Sequence, residues 1–196
     1  NGKKEELIMD IAMTYLRKSL FSHNYTITDE ELFESLTWMN DYFYIIDHES
    51  AILNIRDIYQ AVADIEVAYG IKIDCVAIDN ATNLAREADK HKMMIHEYMN
   101  YLMTAINRTS LSRNYHTFIL FHVGKQDRVE CKTTGKKYQA PATHYDIVGG
   151  QMVNYLGYQL ACVYRPISNE EQIGIIDPDT GAPFELNETH IIVSKS

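Results

Sequence analysis

The chain has 196 residues, 46% hydrophobic and 23% charged, with only 4 Pro and 9 Gly. These are values of a globular protein; they exclude collagen-like, low-complexity and disordered classes. No apolar run approaches the ~18 residues of a membrane span. The net charge of −9 excludes a uniformly basic nucleic-acid coat, but not a locally basic groove.

The start, NGKKEELIMDIAM, interleaves acids with apolar residues and lacks the layout of a signal peptide. Residues 5–20 carry Leu7, Ile8, Ile11, Tyr15 and Leu16 at helical spacing. Thr28 and Glu31 have the spacing of a capping box that opens a second helix over about 29–40. The run YFYII at 42–46 reads as a buried strand ending at Asp47. Asn54 and Gly70 bracket a third helix, 54–69. IDCVAI at 73–78 is a strand ending at Asp79, and a polar loop, 80–91, leads into a long helix over about 92–113. TFILF at 117–121 is a strand ending at His122.

A basic loop follows. Lys125, Arg128, Lys132, Lys136 and Lys137 stand there against Asp127 and Glu130, so residues 125–138 carry +3 and the rest of the chain −12. This contrast points to an anionic partner. The pair Gly149-Gly150 then opens a short helix through Leu156. QLACVY at 159–164 is a strand ending at Arg165; 166–188 reads as turns with a hairpin around Asp177–Gly181; HIIVS at 190–194 is the last strand, followed by Lys195. No linker, repeat or composition break interrupts the chain, which reads as a single domain over 1–196. Cys75, Cys131 and Cys162 are odd in number and lack C-x-x-C spacing, which argues against a disulfide framework or structural zinc and for a reducing cytosol.

Helices alternate with near-continuous apolar strands, the pattern of an α/β protein whose parallel sheet is covered on both faces. Asp47, Asp79, His122, Arg165 and Lys195 each stand just past a strand's C-terminal end. In a parallel sheet those ends share one rim, where ligands of open α/β sheets bind. Arg165 is read as a brace paired with a carboxylate. Tyr98, Tyr101 and Leu102 are read as core or subunit-contact residues. His91 and His96 are five apart and do not share a helix face as zinc ligands would. Asp177-x-Asp-x-Gly181 is a turn, not a calcium loop, because no bidentate Glu follows at the required position. Tyr145 and Tyr155 flank the glycine pair and could stack on bases; packing is the simpler reading.

An aspartate at the end of an apolar strand is how phosphate-loop NTPases present a carboxylate to Mg²⁺. The order IDCVAIDNATNLA, YMNYLMTAINRTSLSRNYH, TFILFHVGKQD, THYDIVGGQMVNYLGYQLACVYRP, HIIVSKS resembles the RecA-like motor domain of ring-shaped replicative helicases. It is most similar to phage primase-helicases and Twinkle, and more distantly to DnaB. The similarity covers about residues 70–196. It implies a three-layer α/β/α fold with a mostly parallel sheet. It implies ATP and Mg²⁺ as cofactors, single-stranded DNA as partner, and a homo-oligomeric, hexameric ring in the cytoplasm of a bacterial or phage-infected cell, with no membrane association. By resemblance, Asp79 holds the Mg²⁺ of bound nucleotide and His122 senses the γ-phosphate. Lys125, Arg128, Lys132, Lys136 and Lys137, with Gly149 and Gly150, belong to two channel loops that grip DNA. Lys195 matches the first basic residue of a pair that reaches a neighbour's nucleotide.

The sequence also departs from that pattern. No G-x-x-x-x-G-K-[ST] loop is present, and neither are the first strand with its catalytic glutamate nor the finger arginine expected after Ser196. Val148 stands where relatives often place a basic residue, and Asn80 follows the metal aspartate. The expectation is a motor domain cut at both ends, whose parent hydrolyses ATP and which is inactive by itself. The alternatives are a RecA/RadA-type recombinase, a packaging ATPase, or a non-catalytic RecA-like module that binds DNA or protein.

Overall fold

The structure, a computed structural model, describes residues 2–18, 27–46, 54–81, 84, 92–124, 128–147, 149–167, 170–178, 180–186 and 188–195. The chain divides into two compact units, Asn1–Ala51 and Ile52–Ser196.

The first unit pairs helix α1, Gly2–Leu16, with α2, Asp29–Tyr42. Its packing is aromatic: the Tyr15 ring stacks on Trp38 with centroids 4.5 Å apart, and Phe43 meets the same indole at 5.2 Å. The expected capping box forms. The Thr28 hydroxyl accepts from the Glu31 amide at 3.3 Å, and the Glu31 carboxylate accepts from the Thr28 amide at 3.1 Å. The Lys18 ammonium also donates to Glu31. That bond, then the capping bond, holds the Glu31 carboxyl below its ordinary value. The strand expected at 42–46 does not form: Tyr42 closes α2, and Phe43 caps the helix in extended geometry and packs on Trp38. An aromatic run beside the half-buried Trp38 indole packs locally in preference to pairing as a strand. Asp47 lies outside the described residues.

The second unit is built on α3, Ile55–Tyr69, and α4, Ile95–Arg113. The α3 boundaries agree with the reading from sequence. The Asn54 side chain accepts from the amides of Arg56 and Asp57, and Gly70 ends the helix in the left-handed region at φ 64°. Ile55, Tyr59 and Val62 form one buried stripe of α3. Tyr98, Met99, Leu102, Met103 and Ile106 form another on α4. Both helices contribute to one core with Val76 and Ile78. Tyr98 and Leu102 are thus core residues, as expected; Tyr101 is half-exposed, with the Arg56 guanidinium 6.0 Å from its ring.

Strands β1, Cys75–Ile78, and β2, His116–Ile119, are adjacent and parallel, with Ile78 opposite Ile119. Further along, β3, Arg128–Glu130, and β4, Lys137–Gln139, form an antiparallel hairpin. A short helix α5, Gly150–Leu156, precedes β5, Leu160–Tyr164. β5 pairs antiparallel with β6, His190–Lys195. Tyr138 of the hairpin enters a second core with Cys131, Ile167, Ile175 and Phe184.

The fold is therefore mixed α/β, with one parallel pair, and two features of the sequence reading need correction. Among the described residues the strands form three separate pairs, of which only β1–β2 is parallel, and not one mostly parallel sheet. Among the described residues, the β1–β2 pair is also covered on one face only. Val76 and Ile78 are buried and Thr117 and Ile119 half-buried, whereas Cys75, Ala77, His116 and Phe118 on the opposite face are exposed.

Candidate functional site

Asp79 and His122 are positioned by the parallel pair. The Leu120 amide donates to the Ile78 carbonyl at 3.0 Å, and the Ala81 amide donates to the Leu120 carbonyl at 2.9 Å. The ladder therefore continues past both strand ends and fixes the backbone on either side of Asp79. Burial alternates along each chain segment, so Asp79 continues the exposed series Cys75, Ala77, and His122 the exposed series His116, Phe118, Leu120. The carboxylate and the imidazole thus emerge at the C-terminal end of adjacent parallel strands, on the same exposed series of positions. The peptide bond between Asp79 and Asn80 is cis.

Two residues past His122, the Gly124 amide donates to the Asp146 carbonyl at 3.0 Å. This bond joins the segment leaving β2 to the segment entering the glycine pair. Residues His144–Asp146 form one 3₁₀ turn, held at its start by reciprocal bonds. The Thr143 amide and hydroxyl donate to the Asp146 carboxylate at 2.7 and 2.9 Å, and the Tyr145 amide donates to the Thr143 hydroxyl at 3.3 Å. The spacing Thr-x-x-Asp is a capping signal that was legible in the sequence and overlooked.

Both glycines are required by geometry. Gly149 adopts φ 68°, and a Cβ there would overlap the Met99 side chain; a Cβ on Gly150 would overlap the His144 carbonyl oxygen. The glycine pair therefore lets α5 approach the 3₁₀ turn and α4 closely. Val148 lies outside the described residues.

The basic segment is a structured hairpin rather than a loop. Gly135, at φ 67°, turns the chain, with the Gly135 amide donating to the Cys131 carbonyl and the Cys131 amide to the Lys136 carbonyl, both at 2.8 Å. Arg128, Lys132, Lys136 and Lys137 are all exposed. They are not equivalent. Lys136 donates to the Ile173 carbonyl at 2.6 Å, and Lys137 sits across the ladder from Glu130. Lys125 lies outside the described residues. In the same turn, the Thr134 hydroxyl, and then backbone donors of Ile176, Thr134 and Thr133, bring the buried Cys131 thiol down to about 7.

The common rim does not extend to the remaining two residues. Arg165 follows β5, and Lys195 lies opposite Leu160 at the other end of the antiparallel pair, so the two stand at opposite ends of it. Arg165 is exposed, and its expected carboxylate brace does not form among the described residues. The Asp177–Gly181 segment is the expected turn: the Gly181 amide donates to the Asp177 carbonyl at 2.9 Å, and Ile176 bridges Pro183. His91 lies outside the described residues. Among those described, no three His, Cys, Asp or Glu side chains gather as a metal site. No helix among them is long and apolar enough to cross a membrane.

Compared with known proteins, the chain matches no family model, no curated protein and no solved structure.

Proposed function

We propose that this chain is the C-terminal part of a RecA-like motor domain from a DnaB/Twinkle-type helicase. In this reading ATP hydrolysis drives a ring, a hexamer by family resemblance, along single-stranded DNA in the cytoplasm of a bacterial or phage-infected cell. The observation that carries the reading is the parallel β1–β2 pair, with Asp79 and His122 at its C-terminal end and the Gly124–Asp146 bond directly beyond. Ligands of α/β folds bind at such ends.

The residues present fit part of a nucleotide site. Mg²⁺ bound with a nucleotide keeps several waters and takes one or two carboxylates, which suits the single exposed Asp79. When bound, the ion would neutralise phosphate charge. His122 would donate a hydrogen bond to a phosphate oxygen. A change at His122 would reach Gly124 within two residues, and through the Gly124–Asp146 bond the glycine loop. Lys125, Arg128, Lys132 and Lys137 would attract DNA phosphates, whereas Lys136 would serve mainly to anchor the hairpin through Ile173. Lys195 would complete a neighbouring subunit's site, acting from β6 independently of the Asp79–His122 end. This chain has no phosphate-cradling G-x-x-x-x-G-K-[ST] loop, so by itself it neither binds ATP tightly nor hydrolyses it.

The test is DNA-stimulated ATP hydrolysis and unwinding of a forked duplex by the full-length protein. Asp79→Ala is expected to lower hydrolysis by on the order of 100-fold or more, the scale of losing one preorganised electrostatic contact. His122→Ala is expected to lower the DNA-stimulated rate. Full hydrolysis in Asp79→Ala overturns the nucleotide site, and an unchanged DNA-stimulated rate in His122→Ala overturns the coupling. Strand exchange without unwinding would favour a recombinase; DNA binding without hydrolysis would favour a non-catalytic module.

A further inference from the structure

The 3₁₀ turn before the glycine pair presents an aromatic ring to solvent on a rigid base. Tyr145 is 72% exposed. Its backbone is nevertheless fixed by the Thr143 hydroxyl, by the Thr143–Asp146 capping bonds and by the Gly124 amide on the Asp146 carbonyl. The His144 ring lies 3.9 Å from the Tyr145 ring, centroid to centroid, tilted by 40°, and so supports it from one side. α5 packs against the same turn and carries Tyr155, 79% exposed, in its last turn. Both rings are mostly exposed, so neither tyrosine belongs to the core, against the simpler reading from sequence.

Leaving a large ring in water while ordering the backbone beneath it does nothing for the core. It does make a stacking platform: a tyrosine face binds the face of any nucleobase without regard to sequence, and a ring held in place beforehand loses little freedom on binding. The neighbouring chemistry suits the same ligand. Gly124, the residue before the basic stretch, is bonded to this turn, and the hairpin Arg128–Gln139 carries exposed cations that would meet the phosphates.

We infer that Tyr145 is a base-stacking residue for single-stranded DNA, carried on the 3₁₀ turn that the Gly124–Asp146 bond ties to the segment leaving β2. The inference rests on the proposed DNA-binding function and adds that grip is taken on the bases as well as on the phosphates. It also gives the glycine pair a second purpose: close approach of α5 and α4 braces the platform.

The experiment measures binding of the full-length protein to a fluorescent oligothymidylate and to a strand of equal length made of abasic sites, which keeps the phosphates and removes the bases. Tyr145→Ala is expected to weaken oligothymidylate binding by on the order of tenfold and to leave abasic binding unchanged. Tyr145→Phe, which keeps the ring face, should bind both strands as the natural protein does. Equal losses on both strands, an unchanged affinity in Tyr145→Ala, or a Tyr145→Phe variant as weak as Tyr145→Ala each overturns the stacking role while leaving DNA binding standing. A natural protein that binds neither strand overturns the DNA-binding function itself, and the stacking role with it.

Discussion

Glu66 shows how much one side chain near the end of a helix can organise. Its carboxylate accepts from the Ile73 amide at 2.9 Å and from the Tyr115 hydroxyl at 2.7 Å, tying the end of α3 to the segments entering both parallel strands. The Ile73 bond first, and the Tyr115 bond second, hold the Glu66 carboxyl below its ordinary 4.5. On the partner's side, burial and then the bond to Glu66 push the Tyr115 phenol up to about 12. The signs give opposite limits. The Glu66 contribution is complete above the ordinary carboxylate range and is lost as pH falls through its lowered value. The Tyr115 contribution is complete below the ordinary phenol range near 10 and is lost as pH rises towards 12. Glu66→Gln should therefore bring the Tyr115 titration down from about 12 part of the way towards 10, burial accounting for the remainder; an ultraviolet titration of phenolate measures it. None of this was visible in the sequence, where Glu66 is one acid among many. At the same scale, Asp79 and His122 were legible because each ends an apolar run, whereas the exposure of Tyr145 was not, because a tyrosine's sequence does not say which way its ring points.

Elements defined by local chemistry were read well. α2 and α3 begin at the caps that the sequence announces, and α5 follows its glycines, because capping and left-handed turns are decided within a few residues. Where tertiary contacts decide, the sequence was less informative: the aromatic run after α2 packs on Trp38, and the basic stretch folds back as a hairpin because Tyr138 is drawn into a core with Phe184. Gly150 is the element-scale test. A methyl group there would collide with backbone at His144, which cannot rotate aside, so Gly150→Ala should destabilise the second unit by about 1–3 kcal/mol. Urea unfolding followed by circular dichroism would register this as a lower midpoint with unchanged slope.

For the whole molecule, α/β character was legible from alternation, but strand direction was not, since an apolar run is the same run in either sense. The decisive signal was the connection. The described residues between β5 and β6 form turns, among them the 3₁₀ turn Glu170–Gln172 and the Ile176–Pro183 bridge, with no crossover helix, and strands joined without such a crossover pair antiparallel. Charge is also a property of the whole: a chain of net −9 places four of its 18 basic residues, Arg128, Lys132, Lys136 and Lys137, on one hairpin, so a polyanion would be held there in a chain that is acidic elsewhere. If Lys132 neutralises one DNA phosphate, Lys132→Gln should reduce the slope of log affinity against log salt by about 0.7; an unchanged slope would remove Lys132 from the contact. The Gly124–Asp146 bond has a practical consequence for anyone mapping this protein by substitution. Both of its atoms belong to the main chain, so an alanine scan passes over it: a methyl group on Gly124 would meet the Asp146 oxygen at an ordinary 3.7 Å, and truncating Asp146 leaves the carbonyl in place. Proline at position 124 deletes the donor, and slowed deuterium uptake at that one amide would reveal the junction in the native chain.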